Sequence, residues 1–293
     1  VQNQIIEVKQ IDWFDERFYK IRYENEAKVE VEDYFPSVTT KLGTLPKPQL
    51  LHWYGDIGNR EANLRRNEAA DSGSRVHWAW QTYCTAGIVI YNPPKAPIYD
   101  EEEIKELKEK YNQHFFMLYN QDEMWSFMKL VAFYQAVKPY KMLSEHTVYD
   151  IDNRDAGTMD NLFGIPEGEY MINGSKPVKL ARGLYLFDAK TGNYIGNDSK
   201  MQLAAYWGCI MFMIRNGLID LPEKEEDRNI VGAIIGHTAA KTRSGIEGFS
   251  ATVLNVDDLQ EYYKRYRNIA AVWESEFGTL KPTIRQVPGY ITL

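Results

Sequence analysis

The sequence predicts an α/β protein: a mixed central β-sheet flanked by helices, with an N-terminal β-meander and a helical insertion. Three observations predict it. Strand-like alternation recurs at residues 143–151, 156–165 and 178–188, where apolar positions follow a period of two. A strong helical pattern at 199–215 comes next, and strand patterns at 229–238 and 248–254 follow it. The resulting core order of helix, three antiparallel strands, helix and strand is an α/β layout with a mixed sheet.

Residues 4–34 alternate apolar and polar positions, notably at 17–23 and 28–31, and read as a small β-meander. Pro36 stops it, and Ser37 suits the cap of a short helix at 38–42. Pro46 and Pro48 punctuate the chain before a helix at 49–54. Residues 61–86 read as helix with a break around 71–73, and Gly87 suits its C-terminal stop. Residues 91–100 form a Pro-rich loop, and 101–137 are expected to form two helices joined near 120–122. The turn Asp152-Asn153-Arg154-Asp155 separates two strands, and Asn173-Gly174-Ser175 separates strands at 169–172 and 178–188. The segment 166–182 is expected to be an extended hairpin. A last amphipathic helix at 257–277 starts at a cap on Asn255 or Asp257. These readings divide the chain into a meander (1–35), a helical region (36–140), a core (141–280) and a tail (281–293).

The 293 residues suit one elaborated domain or two small ones. A hydrophobic fraction of 44% and a charged fraction of 26% are ordinary for a globular chain and argue against disorder. The formal charge of −7 excludes a protein coated in positive charge. It does not exclude nucleic-acid binding, which depends on the local field in a groove. Cys84 and Cys209 are too few for a disulfide scaffold or an iron–sulfur cluster and read as core thiols. No apolar run reaches the ~18 residues of a membrane span. The N-terminus lacks a basic-then-apolar signal pattern. A soluble, intracellular protein, cytoplasmic and without a membrane partner, is therefore expected.

The segment Leu184-Tyr185-Leu186-Phe187-Asp188-Ala189-Lys190 carries the chemistry. Residues two apart share a strand face, so Leu184, Leu186, Asp188 and Lys190 point one way. Both faces are apolar until the strand ends, which marks an internal strand. A carboxylate and an ammonium at the end of such a strand need stabilisation, and a metal plus an anionic substrate would supply it. Asp160, in Gly157-Thr158-Met159-Asp160 on the preceding strand, can come alongside Asp188. Two close carboxylates repel unless a cation sits between them. Mg²⁺ or Mn²⁺ suits that role through oxygen ligands and retained waters. Lys190 can orient the water or stabilise phosphate charge. His77, in a helical stretch beginning Gly73-Ser74-Arg75, offers an imidazole ligand that favours Mn²⁺. Gln202 and Tyr206 share a helix face and can hold phosphate or the lysine. Glu145 is a further acid able to face the same cleft.

As an ordered set, His77, Gly157–Asp160, Asp188-Ala189-Lys190 and Gln202-x-x-x-Tyr206 resemble the RecB-like branch of the PD-(D/E)XK nucleases. The opening Pro36-Ser37-Val38-Thr39 with the later Trp53, and the Tyr-rich helix after Asp257, are similar to the group containing mitochondrial genome maintenance exonucleases and their phage relatives. The resemblance spans roughly residues 35–275. It implies a restriction-endonuclease-like core and a metal-dependent DNA exonuclease acting on single-stranded DNA or DNA ends. It implies that His77, Asp160, Asp188 and the Ala189 carbonyl bind metal, and that Lys190 is the catalytic lysine. Gln202 and Tyr206 would organise the site and contact DNA, with Glu145 as an accessory acid. Ser37, Thr39 and Arg75 are carried as substrate-binding residues. The four cysteines of iron–sulfur members are missing, so no cluster is expected. The long gap between Asp160 and Asp188 is assigned to the 166–182 insertion. Residues 101–140 could arch over the cleft, with Phe115, Phe116, Tyr119, Trp125 and Phe127 either stacking bases or forming helix core. The alternative function is a non-cleaving nucleic-acid-binding or docking subunit of a recombination or packaging complex, partnered by a helicase or single-strand-binding protein. A small-phosphoester hydrolase is the third reading.

Overall fold

A computed structural model describes residues 4–14, 16–25, 27–173, 176–192, 194–238 and 249–282. Strands β1 (Gln4–Trp13), β2 (Glu16–Glu24) and β3 (Glu30–Pro36) form the expected antiparallel meander. Ser37 then caps α1 (Val38–Leu42), its hydroxyl accepting from the Thr40 N–H at 2.9 Å. Helices α2 (Pro48–Ile57) and α3 (Asn59–Cys84) follow. The expected break at 71–73 is absent: α3 runs through Gly73, because one glycine costs only about 1 kcal/mol across seven turns of helix.

The helical region holds a second departure. Beyond β4 (Ile88–Tyr91) and α4 (Glu101–Tyr111), residues Phe115–Leu118 form β5, a strand pairing parallel with β4. Helix α5 (Gln121–Val137) begins at Asn120, whose side chain accepts from the Asp122 N–H. The Phe-Phe-Met-Leu run suits either helix or strand, and the tertiary partner Ile88–Tyr91 selects strand.

The core sheet has seven strands in the order β6-β7-β10-β11-β12-β8-β9. These are β6 (Lys141–Asp150), β7 (Asp155–Ile165), β8 (Gly168–Asn173), β9 (Lys176–Leu180), β10 (Gly183–Lys190), β11 (Ile230–His237) and β12 (Ser250–Asn255). Strands β10 and β11 run parallel because α6 (Asn197–Arg215) returns the chain between them. The other neighbours are antiparallel, so the sheet is mixed. The expected single strand at 178–188 is two strands. Hairpin β8–β9 crosses to the far edge beside β12, which leaves β7 free to pair directly with β10. Gly174 and Ser175 of the expected turn, Gly248 at the expected start of β12, and residues 283–293 of the tail lie outside the described residues.

Strand β10 is buried on both faces. Leu184 and Leu186 pack with Leu203 and Ile210 of α6 and with Tyr266 of α7 (Val256–Phe277). Tyr185 and Phe187 pack with Trp80 of α3 and Phe133 of α5, the Phe133 and Phe187 rings stacking at 4.9 Å. Each such side chain contributes roughly 1.5–3 kcal/mol of burial. These two layers leave only the C-terminal end of β10 open. Cys209 is buried, and burial pushes the half-buried Cys84 thiol up to about 12, so both are inert core thiols at neutral pH. No helix among the described residues is long and apolar enough to cross a membrane.

Candidate active site

Register decides where the acids go. On β6 and β7, Ser144 pairs with Asn161 and His146 with Met159, so Glu145 falls opposite Asp160. On β7 and β10 the ladder ends at Phe187 opposite Asn161, so the next step sets Asp188 beside Asp160. Glu145, Asp160 and Asp188 thus form one row across three adjacent strands, where strand spacing is about 4.8 Å. The Ala189 N–H donates to Asp160 Oδ2 at 2.8 Å, tying the two strand ends together. Glu145 also carries a left-handed φ of 48° inside a strand, a conformation that costs a non-glycine residue about 1–2 kcal/mol.

Helix α3 crosses this end of the sheet. Its His77 Nδ1 lies 3.3 Å from Asp160 Oδ2. One turn later, Trp80 Nε1 donates to Asn161 on the opposite face of β7 at 2.6 Å, which fixes the helix on the strand. Ligand atoms of His77, Glu145 and Asp160 all lie within 4.8 Å of one another. A nitrogen and two carboxylate oxygens at that spacing fit a divalent cation of the Mg²⁺ or Mn²⁺ kind. Of the expected ligands, His77 and Asp160 belong to this trio, and Glu145 is its third member. Asp188 lies outside this trio among the described residues; its carboxylate is turned to Lys190 Nζ, at 3.0 Å from Oδ1 and 2.7 Å from Oδ2. Ala189 meets Asp160 through its N–H.

Lys190 is held from a second side. Its Nζ donates to Gln202 Oε1 at 3.2 Å, and Gln202 Nε2 donates to the Tyr206 hydroxyl at 3.2 Å. The Tyr206 ring lies against Gly157, where a Cβ would come within 2.3 Å of it. The glycine of Gly157-Thr158-Met159-Asp160 thus makes room for the tyrosine that anchors the lysine.

The charges are strongly coupled. Asp160 raises His77 to about 9 against the opposing effect of burial. Burial, with Asp160 adding to it, pushes Glu145 up to about 7. Burial also opposes the charge on Asp160, but His77, Lys190 and the Ala189 N–H outweigh it and hold that carboxyl below its usual value. Burial raises Asp188, against the pull of Lys190 and with Asp160 adding to the rise. Three acids crowd His77 and Lys190 here, and the mutual repulsion of Glu145, Asp160 and Asp188 is of the kind a divalent ion would relieve.

All these groups line one cleft of about 430 Å³, together with Arg17, Thr39, Trp78, Gln81, Thr158 and Thr191. Two of the expected substrate residues are engaged elsewhere. Ser37 is buried as the α1 cap. Arg75 does not line the cleft, and its guanidinium grips buried Glu123 of α5, Nη2 to Oε1 at 2.7 Å. Residues 101–140 contribute nothing to the cleft lining. Phe127 is core, while Tyr119 and Trp125 are half exposed and line no part of the cleft. Sequence reasoning missed Thr158 and Arg17. Thr158 stands two residues before Asp160 on the same strand face, a signal that was available. Arg17 comes from β2, and nothing local to it points to the cleft. Comparison of the chain with family models and with curated proteins finds no match.

Proposed function

We propose that this chain is a divalent-metal-dependent DNA nuclease of the PD-(D/E)XK type, hydrolysing phosphodiester bonds of single-stranded DNA or DNA ends. One observation supports it most: three acids in register across adjacent strands meet a histidine on one side and a lysine, oriented by Gln202 and Tyr206, on the other. His77, Glu145 and Asp160 would hold Mg²⁺ or Mn²⁺. Bound there, the cation would polarise a phosphate oxygen and lower the pKa of water. Asp160 is kept in register by the Ala189 N–H and keeps His77 oriented. Lys190, raised by Asp188 and Asp160 despite burial, stays charged at neutral pH and stabilises negative charge developing on the phosphate. Gln202 restrains the ammonium so that it cannot swing to solvent. Asp188 fixes Lys190 now, and it is the nearest further carboxylate to the trio along the β-strand row.

The test compares wild type with Lys190→Ala, Asp188→Ala and Asp160→Ala on 5′- and 3′-labelled single-stranded DNA, with Mg²⁺, Mn²⁺ or EDTA. Wild type is expected to cleave only with metal, and each variant to lose nearly all cleavage while remaining folded. Cleavage that survives in all three variants, or in EDTA, defeats the proposal. A second reading, a docking subunit of a recombination or packaging complex, draws on one feature. Half-exposed Trp125 and Met128 line an apolar cavity of about 450 Å³ beside β4 that shares no lining residue with the cleft. Metal-independent retention of DNA without cleavage would favour it.

A further inference from the structure

A groove of about 990 Å³ lies between the β1–β2 turn, α1 and α7. Arg17 and Thr39 line both this groove and the acidic cleft, so the two form one continuous surface. Arg17 stands at the junction. Its side chain is half exposed, and its ion pair with Asp12 is loose, Nε to Oδ1 at 3.6 Å. Lys190, by contrast, is committed to Asp188 and Gln202. A phosphate entering the cleft therefore meets the half-exposed Arg17 guanidinium, which also bonds the Tyr19 hydroxyl, with exposed Thr39, bonded to Ser37 Oγ, beside it.

Beyond Arg17 the surface changes character. Its floor is Val272, Trp273 and Phe277 of α7, and its rim carries the carboxylates of Asp12 and Glu16. Such a surface repels phosphates and suits the flat, uncharged faces of bases. Phe14 rises from the β1–β2 turn at the same rim, 89% exposed and with a left-handed φ of 54°. A bulky residue in that conformation costs energy, and the ring it presents to solvent is supported by an edge contact to Trp13 at 5.1 Å. Stacking on such a ring accepts any base.

Resting on the nuclease reading above, we infer that the groove is the path of the substrate strand outside the cleft. Arg17 with Thr39 grips the phosphate next to the cleft, and Phe14 stacks a base beyond it. The occupant is a single nucleic-acid strand, because the junction offers one phosphate contact and the groove offers one aromatic rim.

Arg17→Ala, Arg17→Lys and Phe14→Ala are assayed with Mn²⁺ on single-stranded oligonucleotides of about 6 and about 20 nucleotides, a range bracketing the footprints of aromatic single-strand sites. Arg17→Ala is expected to raise KM about tenfold on the long substrate with kcat within twofold, and to lower the salt dependence of KM by about one phosphate contact, a slope change of roughly 0.7. Arg17→Lys should recover part of KM. Phe14→Ala should raise KM for the long substrate and leave the short one unchanged. If wild type cleaves but Arg17→Ala matches it in KM and salt slope, the inference falls and the nuclease reading stands. Equal effects of Phe14→Ala on both lengths also overturn the groove path. If wild type cleaves neither substrate, both fall together.

Discussion

Glu145 joins backbone strain to the geometry of the acidic cluster. Its left-handed backbone sits opposite Asp160 and turns its carboxylate toward His77. Glu145→Gly would release about 1–2 kcal/mol of strain, offsetting the extra chain entropy of glycine, about 0.5–1 kcal/mol. The metal-free variant should therefore be at least as stable as wild type in urea. Its Mn²⁺ affinity should fall at least about tenfold, since losing a residue that merely orients a ligand already costs about 10–100-fold. A stability loss above about 1 kcal/mol would show that the conformation carries no strain. His77 makes a prediction of opposite kind. Its pKa is raised by Asp160 from 6.5 to about 9, so in metal-free protein its charge contributes stability that is fully present below about pH 6.5. That stability is lost as pH rises through about 9. Glu145, raised to about 7, acts in the same direction but is spent by pH 8. In EDTA, the Tm of wild type should fall from pH 8 to 9.5 more steeply than that of His77→Gln; parallel curves would contradict the ion pair. Of these site residues, Asp188, Lys190, Gln202 and Tyr206 were legible because they sit on one strand end and one helix face close in sequence. The partnership of Glu145 with Asp160 was not, because it depends on cross-strand register.

At the scale of elements, the site is held by joints that differ greatly in worth. The strongest is buried Lys41 of α1, which pairs with Asp155 at the start of β7 at 2.8 Å and with Glu274 of α7 at 3.0 Å. Asp155 also accepts from the Tyr266 hydroxyl at 2.7 Å and pairs with Arg267 at 2.9 Å. This network clamps α1 and α7 to the β6–β7 turn. Lys41→Met breaks a buried ion pair and leaves Asp155 to Arg267 and Tyr266 alone, and should cost about 3 kcal/mol in urea unfolding. Removing the exposed Arg65–Glu61 pair on α3 should cost no more than about 0.5 kcal/mol. Comparable losses for the two would refute the ranking. A lesser joint, Arg75 on Glu123, fixes α3 to α5 two residues before His77. The network escaped sequence reading because Lys41, Asp155 and Arg267 are ordinary surface types until the fold buries them. Strand β5 escaped for a related reason: its four residues carry no helix-against-strand signal without β4 beside them.

Across the whole molecule, the meander is more than an N-terminal appendage. Strand β2 sends the Tyr19 hydroxyl to Thr158 at 2.8 Å and places Arg17 in the cleft, so the two sheets build the site together. By itself, the sequence determined the alternation of strands and helices, the mixed sheet, and the candidate chemistry of Asp160, Asp188, Lys190, Gln202 and Tyr206. Those features follow from periods of two and 3.6 residues and from side-chain type, which are local properties. Only the tertiary structure decided that Glu145 joins His77 and Asp160, that Asp188 faces Lys190, that Arg75 serves packing, and that Arg17 reaches the cleft. Each of those depends on which strands neighbour one another and in what register, and that is settled by burial of the whole core rather than by any short stretch of chain.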